Sequence, residues 1–193
     1  QEAWSKVAGS ARLNTSPSAL GGSNQLPVET VSTEEVDRWC LAAGLNLPTE
    51  AQWEFACRAG TTAPWSMSYE KSDLLEYANL SSLECPGSWY GREPWWDGYG
   101  VQSSEVGTFK PNAFGLYDVH GNVFEWCRDR YLSYSVRAGE RTGLRIGESE
   151  FRVCRGGSYG QSSKYARSAR RCWYDPGTRS VIIGFRPSLD LGF

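Results

Sequence analysis

Hydrophobic and polar positions fall into two helical stretches, a long aperiodic tract, and then short strand-like runs. In STEEVDRWCLAAG, Ser32 to Gly44, the residues Val36, Trp39, Cys40 and Ala43 recur at helical spacing on one face. Ser32 or Thr33 can cap its start, Glu34 and Glu35 suit the positive end of the helix dipole, and Gly44 is a natural stop. In LPTEAQWEFACRAG, Leu47 to Gly60, Trp53, Phe55, Ala56 and Gly60 place bulk along one side, behind Pro48 and a Thr49–Gln52 capping box. From Thr61 to Gly107 no period persists, which predicts a long ordered loop region that something else must hold in place. NAFGLYDVHGNVFEWCRDRY, Asn112 to Tyr131, has turn chemistry at Asn112 and at Gly121-Asn122 flanking short apolar segments. FRVCRGGSY reads as a buried strand entering a glycine turn. Arg167 to Arg170 and Ile182 to Arg186 read as short strands, separated by a tight turn at Pro176-Gly177. The pattern as a whole predicts one α+β domain spanning 1–193.

Composition narrows the function classes. Hydrophobic residues make up 40% and charged residues 22%, a globular balance, while the formal net charge of -2 provides no general attraction to a phosphate backbone. Nucleic acid is therefore not an expected partner. No run of eighteen apolar residues occurs, so no membrane span is expected. The start at QEAWSKVAG, with neither an initiator Met nor a signal peptide, suggests a processed chain or a fragment. Six cysteines, none in a CxxC pair, accompany a single histidine, His120. That inventory lacks the spacing of a zinc site, and it fits disulfides and buried free thiols equally. The redox compartment stays open, with a cell-surface or secreted location favoured.

Four segments in order, PVETVS with the helix after it, LPTEAQWEFACRAG, NAFGLYDVHGNVFEW and RGGSY…GFRPS, together resemble the formylglycine-generating enzyme (sulfatase-modifying factor) family. The resemblance implies its version of the C-type lectin fold: two helices on small twisted antiparallel sheets with long irregular loops. QEAWSKVAGSARLNTSPS is similar to the family's segment after its first strand, so the amino-terminal strand is expected to be absent. Family enzymes oxidise a sulfatase cysteine with copper and oxygen, using a cysteine pair five positions apart after the glycine turn. Thiolates suit that task because they are soft ligands for Cu(I). Carried onto this sequence, the pair falls on Gln161 and Ala166, which disfavours an enzyme and makes copper an unexpected cofactor. The alternative is a divergent copper-dependent oxidase built on Cys154 and Cys172. The resemblance also offers a Cys57–Cys172 disulfide, one residue out of register. An iron-dependent branch of the family needs more histidines than this chain has.

Structural Ca2+ is the cofactor the resemblance implies. One site carries onto Asp118, Gly121, Val123 and Glu125, the other onto Asn79, Leu80, Asp97 and Tyr99, mixing carboxylates, carboxamide and carbonyls as a hard cation requires. The loop between the second set's two halves is longer here. His120 reads as a surface or packing residue.

The residues between the framework positions of RGGSY…GFR are chemically mixed: Tyr159, Gly160, Gln161, Ser162, Cys172, Trp173, Tyr174, Ser180, Val181 and Ile182. This layout is similar to variable proteins of diversity-generating retroelements, which place a hypervariable ligand face on the same fold. Most of these codons are reachable from an asparagine AAY codon by changing its adenines; Gln161 and Trp173 are not. Trp173 and Tyr174 suit a contact surface on their own account, since aromatic residues dominate interface hot spots. The expected function is thus non-catalytic binding of a protein or other macromolecular ligand, with a purely structural module as a third reading. Arg155, Arg167, Arg170, Arg171, Arg179 and Arg186 crowd the region, and Asp175 with Glu148 to Glu150 suggests that they are buried in salt bridges.

Overall fold

Two capped helices give the fold its frame, as seen in a computed structural model that describes residues 1–13, 23–85 and 91–190. Helix α2, Thr33–Ala43, follows a helix α1, Glu2–Ala8, whose Trp4, Val7 and Ala8 fall at helical spacing over only two turns and which is not among the elements expected from the sequence. The capping box of α2 forms between Ser32 and Glu35, and Gly44 ends the helix at φ +70°, a conformation that a side chain would strain. Helix α3, Glu50–Arg58, has the anticipated box between Thr49 and Gln52. A 3-10 helix, Lys71–Glu76, interrupts the tract expected to be entirely loop, of which residues 86–90 lie outside the described set.

Four short strands make one sheet: β1 Phe124–Arg130, β2 Arg152–Arg155, β3 Cys172–Tyr174 and β4 Ile183–Phe185, in the order β3-β2-β1-β4. β2 runs antiparallel to β1 and to β3, but β4 lies parallel to β1. The expectation of two helices on small antiparallel sheets is therefore corrected to three α-helices, a 3-10 helix and one open mixed sheet among the described residues. Two physical facts explain the difference. α1 has only seven residues, too few to be stable alone, and is held by the packing of Trp4, Val7 and Ala8. The segment joining β3 to β4 crosses from one edge of the sheet to the other, and Thr30 and Thr33 donate backbone N–H bonds to its Ser180 and Pro176 carbonyls. That crossover makes β4 parallel to β1, and three-residue strands carry no sequence mark of it. Arg167 to Arg170, expected as a strand, is a run of turns.

The sheet separates two apolar layers. Phe124 and Trp126 of β1 and Cys154 of β2 join Trp4, Val36 and Trp39 of the first two helices, whereas Cys127 and Val153 join Trp53 and Cys57 of α3. This is period-two alternation in a strand buried on both faces. Trp4 and Trp39 stack with centroids 5.9 Å apart, and the Trp39 indole N–H donates to the Trp4 carbonyl at 3.2 Å, which fixes α1 against α2. A third cluster, Trp65, Leu74, Ala78, Leu80 and Ala166, gives the long loop region its own core.

Candidate functional site

The glycine turn after β2 sets the course of the chain beyond it. Gly156 and Gly157 adopt φ +97° and +79°, and a Cβ on Gly157 would sit 3.0 Å from the Ala166 backbone, so the turn and the residues nine positions on are packed together. Ser158, Gln161 and Ala166 are buried. Tyr159 N–H donates to the Asn122 carbonyl, and the Gln161 carbonyl accepts from Ser81 N–H at 3.0 Å. Ser163 N–H donates to the buried Glu93 carboxylate at 2.8 Å, and the Trp65 indole donates to the Ser163 carbonyl. The side-chain oxygens of Ser81, Ser158 and Gln161 are buried without a partner among the described residues, making a polar nest without a thiol.

His120 braces this nest. Its Nδ1 lies 2.7 Å from the Ala166 carbonyl, which can only accept, so Nδ1 carries the proton and Nε2 accepts the Ser66 N–H at 3.0 Å. Burial lowers its pKa to about 4, against the opposing pull of the Ala166 carbonyl. His120 is the packing residue that its place in the sequence suggested, though buried rather than at the surface.

The ten positions expected to form a ligand face differ in exposure. Tyr159, Gln161 and Ser162 are buried, and Cys172, Tyr174 and Ile182 pack against the Trp4–Trp39 core. Gly160 lies close to Ile182, while Ser180 and Val181 are half-buried in the crossover. Only Trp173 stands well out, 46% exposed, tilted against Phe151 with centroids 4.3 Å apart and against Tyr131 at 6.1 Å. The reason is strand geometry: in β3 the side chains of positions 172 and 174 turn inward and that of 173 turns out.

Cys154 and Cys172 are directly opposed across β2 and β3, but the side they share is the core. Burial raises both thiols, Cys154 well above its usual value with Cys127 and Cys172 adding. Cys57 packs in the other layer beside Trp53 and Val119, its pKa pushed up to about 12 by burial. All six cysteines are free, so the Cys57–Cys172 bridge is corrected: the sheet stands between the two residues.

Comparison with known proteins places this architecture. The family model for the sulfatase-modifying factor enzyme 1-like domain matches residues 2–190. The chain belongs to this family. It is 35% identical over 172 residues to the formylglycine-generating enzyme of Mus musculus, covering 85% of this chain and 44% of that protein. It is also 31% identical over 176 residues to the inactive C-alpha-formylglycine-generating enzyme 2 of Bos taurus, covering 84% of this chain and 50% of that one. The chain thus spans about half the length of these curated relatives. Among solved structures, Treponema denticola variable protein 1 superposes with a TM-score of 0.79 at 26% identity, over 97% of this chain and 80% of that one. The kinship with variable proteins suggested by the layout is therefore present in the fold.

The positions onto which the resemblance carries the family's thiol pair hold Gln161 and Ala166. No group of three or more His, Cys, Asp or Glu side chains suited to a metal occurs among the described residues. The two calcium loops differ in their fitness. Glu125 accepts from Arg186 through both oxygens, at 2.7 and 3.0 Å, and from the Trp53 indole at 2.7 Å, so its charge is already matched by a cation. Asp118 accepts from Gly107 N–H and keeps one buried oxygen unpartnered. In that loop Gly121 is pressed onto the Asn79 carbonyl, Asn122 N–H donates to the same oxygen at 2.8 Å, and Val123 is buried. At the second set, Asn79 Oδ1 is buried without a partner, and Asp97 accepts from Leu80 N–H at 3.2 Å and Tyr99 N–H at 3.1 Å. Burial raises Asp97, against the Tyr99 and Leu80 amides, with Glu84 adding. A free carboxamide oxygen beside a partly solvated carboxylate fits a hard cation.

The arginines divide. Arg155 pairs with Glu54, Arg171 with Glu50, Arg179 with Glu35 and Arg186 with Glu125, so their partners come from the two long helices and β1 rather than from Asp175 or Glu148 to Glu150. Arg167 and Arg170 are exposed and have no carboxylate partner among the described residues, which corrects the expectation that all six are paired.

Proposed function

We propose that this chain is a single non-catalytic binding domain, and that its ligand docks on the surface around Trp173. The observation that carries this reading is the pairing of a closed former reaction site with an open aromatic platform. Gln161 and Ala166, the positions onto which the resemblance carries the family's thiols, are buried and fixed by hydrogen bonds and packing, while Trp173 rests half-exposed on Phe151 and Tyr131. A preorganised aromatic platform provides contact area with little ordering cost. Likeness to Treponema denticola variable protein 1 and to an inactive formylglycine-generating enzyme supports the same reading. Calcium belongs to the proposal at the second set, where Asn79 and Asp97 would offer side-chain oxygens and Leu80 and Tyr99 their carbonyls; it would pin the loop region to the glycine turn.

One observation speaks for an oxidase: Cys154 and Cys172 are cross-strand neighbours, a geometry that two-coordinate Cu(I) could use if the core opened. Anaerobic titration with Cu(I), followed by oxygen uptake with a cysteine-containing peptide, separates the two. The binding reading expects no stoichiometric copper and no uptake. One tightly held copper lost in Cys172→Ser would overturn it.

A further inference from the structure

Beside the Trp173 platform lies a cleft of about 520 Å3, lined by Arg58, Tyr69, Tyr131, Arg167, Arg170 and Arg171 among others. Its electrostatics are unbalanced. Beneath it the buried Glu50 and the half-buried Glu54 are shared among four guanidinium groups, those of Arg58, Arg145, Arg155 and Arg171. With the buried Asp129, which accepts from the Glu50 and Arg145 backbone amides, three carboxylates thus face four fixed cations before the rim is considered. The rim adds more positive charge: Arg167 donates from Nε to the Lys164 carbonyl, and Arg170 stacks over Tyr165 with Lys164 above the same ring at 5.1 Å. Neither rim arginine has a carboxylate within reach among the described residues, and both are exposed. In a chain of net charge -2 this is a local inversion, and guanidinium groups held by stacking and backbone bonds are preorganised for anionic oxygens.

The geometry points to an acidic peptide segment as the ligand class of this cleft, with its carboxylates on Arg167 and Arg170 and an adjacent side chain on the Trp173 platform. A peptide is favoured over a nucleic acid for two reasons. Ala63, Pro64 and Ala169 make part of the wall apolar, and Thr62 and Tyr69 supply hydroxyls, which suits a backbone with mixed side chains. The overall negative charge repels a long polyanion, whereas a short acidic segment meets only the local field. This inference rests on the binding-domain reading and specifies its ligand.

The test is fluorescence anisotropy of fluorescein-labelled octaglutamate against the intact chain at low ionic strength, with octalysine and a single-stranded DNA oligonucleotide as comparisons. Saturable binding of octaglutamate that weakens with salt is expected, with octalysine inert. Arg167→Ala/Arg170→Ala should weaken it roughly three- to tenfold, the range for two exposed ion pairs. Arg167→Lys/Arg170→Lys should retain more affinity than the alanine pair, and Arg137→Ala, remote in sequence and paired with Glu140, should change nothing. Both rim side chains are exposed, so the double variant should keep the parent melting temperature. Absence of saturable octaglutamate binding, equal loss in Arg137→Ala, or tighter binding of the DNA would overturn the assignment. Such a failure with no copper bound would leave the binding-domain reading standing, whereas stoichiometric copper would remove that reading itself.

Discussion

Arg171 grips Glu50 in a two-pronged ion pair, Nε to Oε1 at 2.6 Å and Nη2 to Oε2 at 2.7 Å, linking the segment before β3 to the start of α3. Glu50 is only 2% exposed, and its carboxylate also faces Arg155 and Arg145 at 3.8 Å. A carboxylate surrounded in this way compensates several buried cations at once. Removing it strands them, which costs far more than the pair itself contributes.

Glu50→Gln is therefore expected to destabilise the chain by about 3–5 kcal/mol, the range for breaking a buried pair from one side. Arg171→Ala should cost less, because Arg155 and Arg145 still face Glu50. Urea denaturation of both variants checks the order; a loss under about 1 kcal/mol for Glu50→Gln, the scale of a surface pair, would contradict the network.

The thiols provide a second check. Burial holds Cys57 and Cys40 near a pKa of about 12, and Cys127 and Cys154 well above the ordinary value. A thiol so raised presents almost no thiolate at pH 8. Treatment of the native chain with a disulfide reagent at pH 8 is expected to modify Cys172, the least buried of the six, slowly, and Cys40, Cys57, Cys127 and Cys154 only after denaturation. Rapid labelling of Cys154 would show that the layer under β2 opens, and would return the oxidase reading to contention.

Much of the frame is legible in the sequence because its signals are local. Ser32 with Glu35 and Thr49 with Gln52 form the two capping boxes, and the glycine turn at Gly156-Gly157 stands where RGGSY places it. What sequence could not show depends on contacts distant along the chain. α1 exists through Trp4 on Trp39, thirty-five positions away, and the parallel β1–β4 pairing depends on where a crossover lands. The same limit hid how unequally the ten expected ligand positions are exposed: the inward and outward turns of β3 and burial around the glycine turn leave Trp173 the most exposed of them. Nearness in sequence misleads for Arg167 and Arg170, which form no ion pair with Asp175 or Glu148 to Glu150 among the described residues, while Tyr131 and Phe151 beneath Trp173 carry no signal in the sequence.

Close backbone approach explains one framework glycine and makes a third prediction. A Cβ on Gly184 would lie 2.2 Å from the Val28 carbonyl oxygen and 3.2 Å from Val123. Backbone cannot yield as a flexible side chain does, so β4 would have to move off β1. Gly184→Ala is expected to lower stability by about 1–3 kcal/mol, the scale of overpacking. Thermal unfolding should show it; a variant as stable as the parent would mean that the segment around Val28 is not seated on β4.

The last prediction concerns calcium at the second set. Asn79 leaves a buried oxygen without a donor, and Ser82 Oγ bridges the Glu84 and Asp97 carboxylates, at 3.2 Å from Asp97. Two acids brought together this way repel unless a cation separates them, so binding should stabilise the folded chain by mass action. At a hundredfold excess over Kd the gain is about 2.7 kcal/mol, which raises the melting temperature of a chain this size by about 5–10 °C. Asp97→Asn should abolish the difference between calcium and chelator. Asp118→Asn should preserve it, because Glu125 in that loop is already neutralised by Arg186. If instead Asp118→Asn alone removes the response, calcium sits in the first loop and must displace Arg186 from Glu125, and the assignment to Asn79 and Asp97 fails.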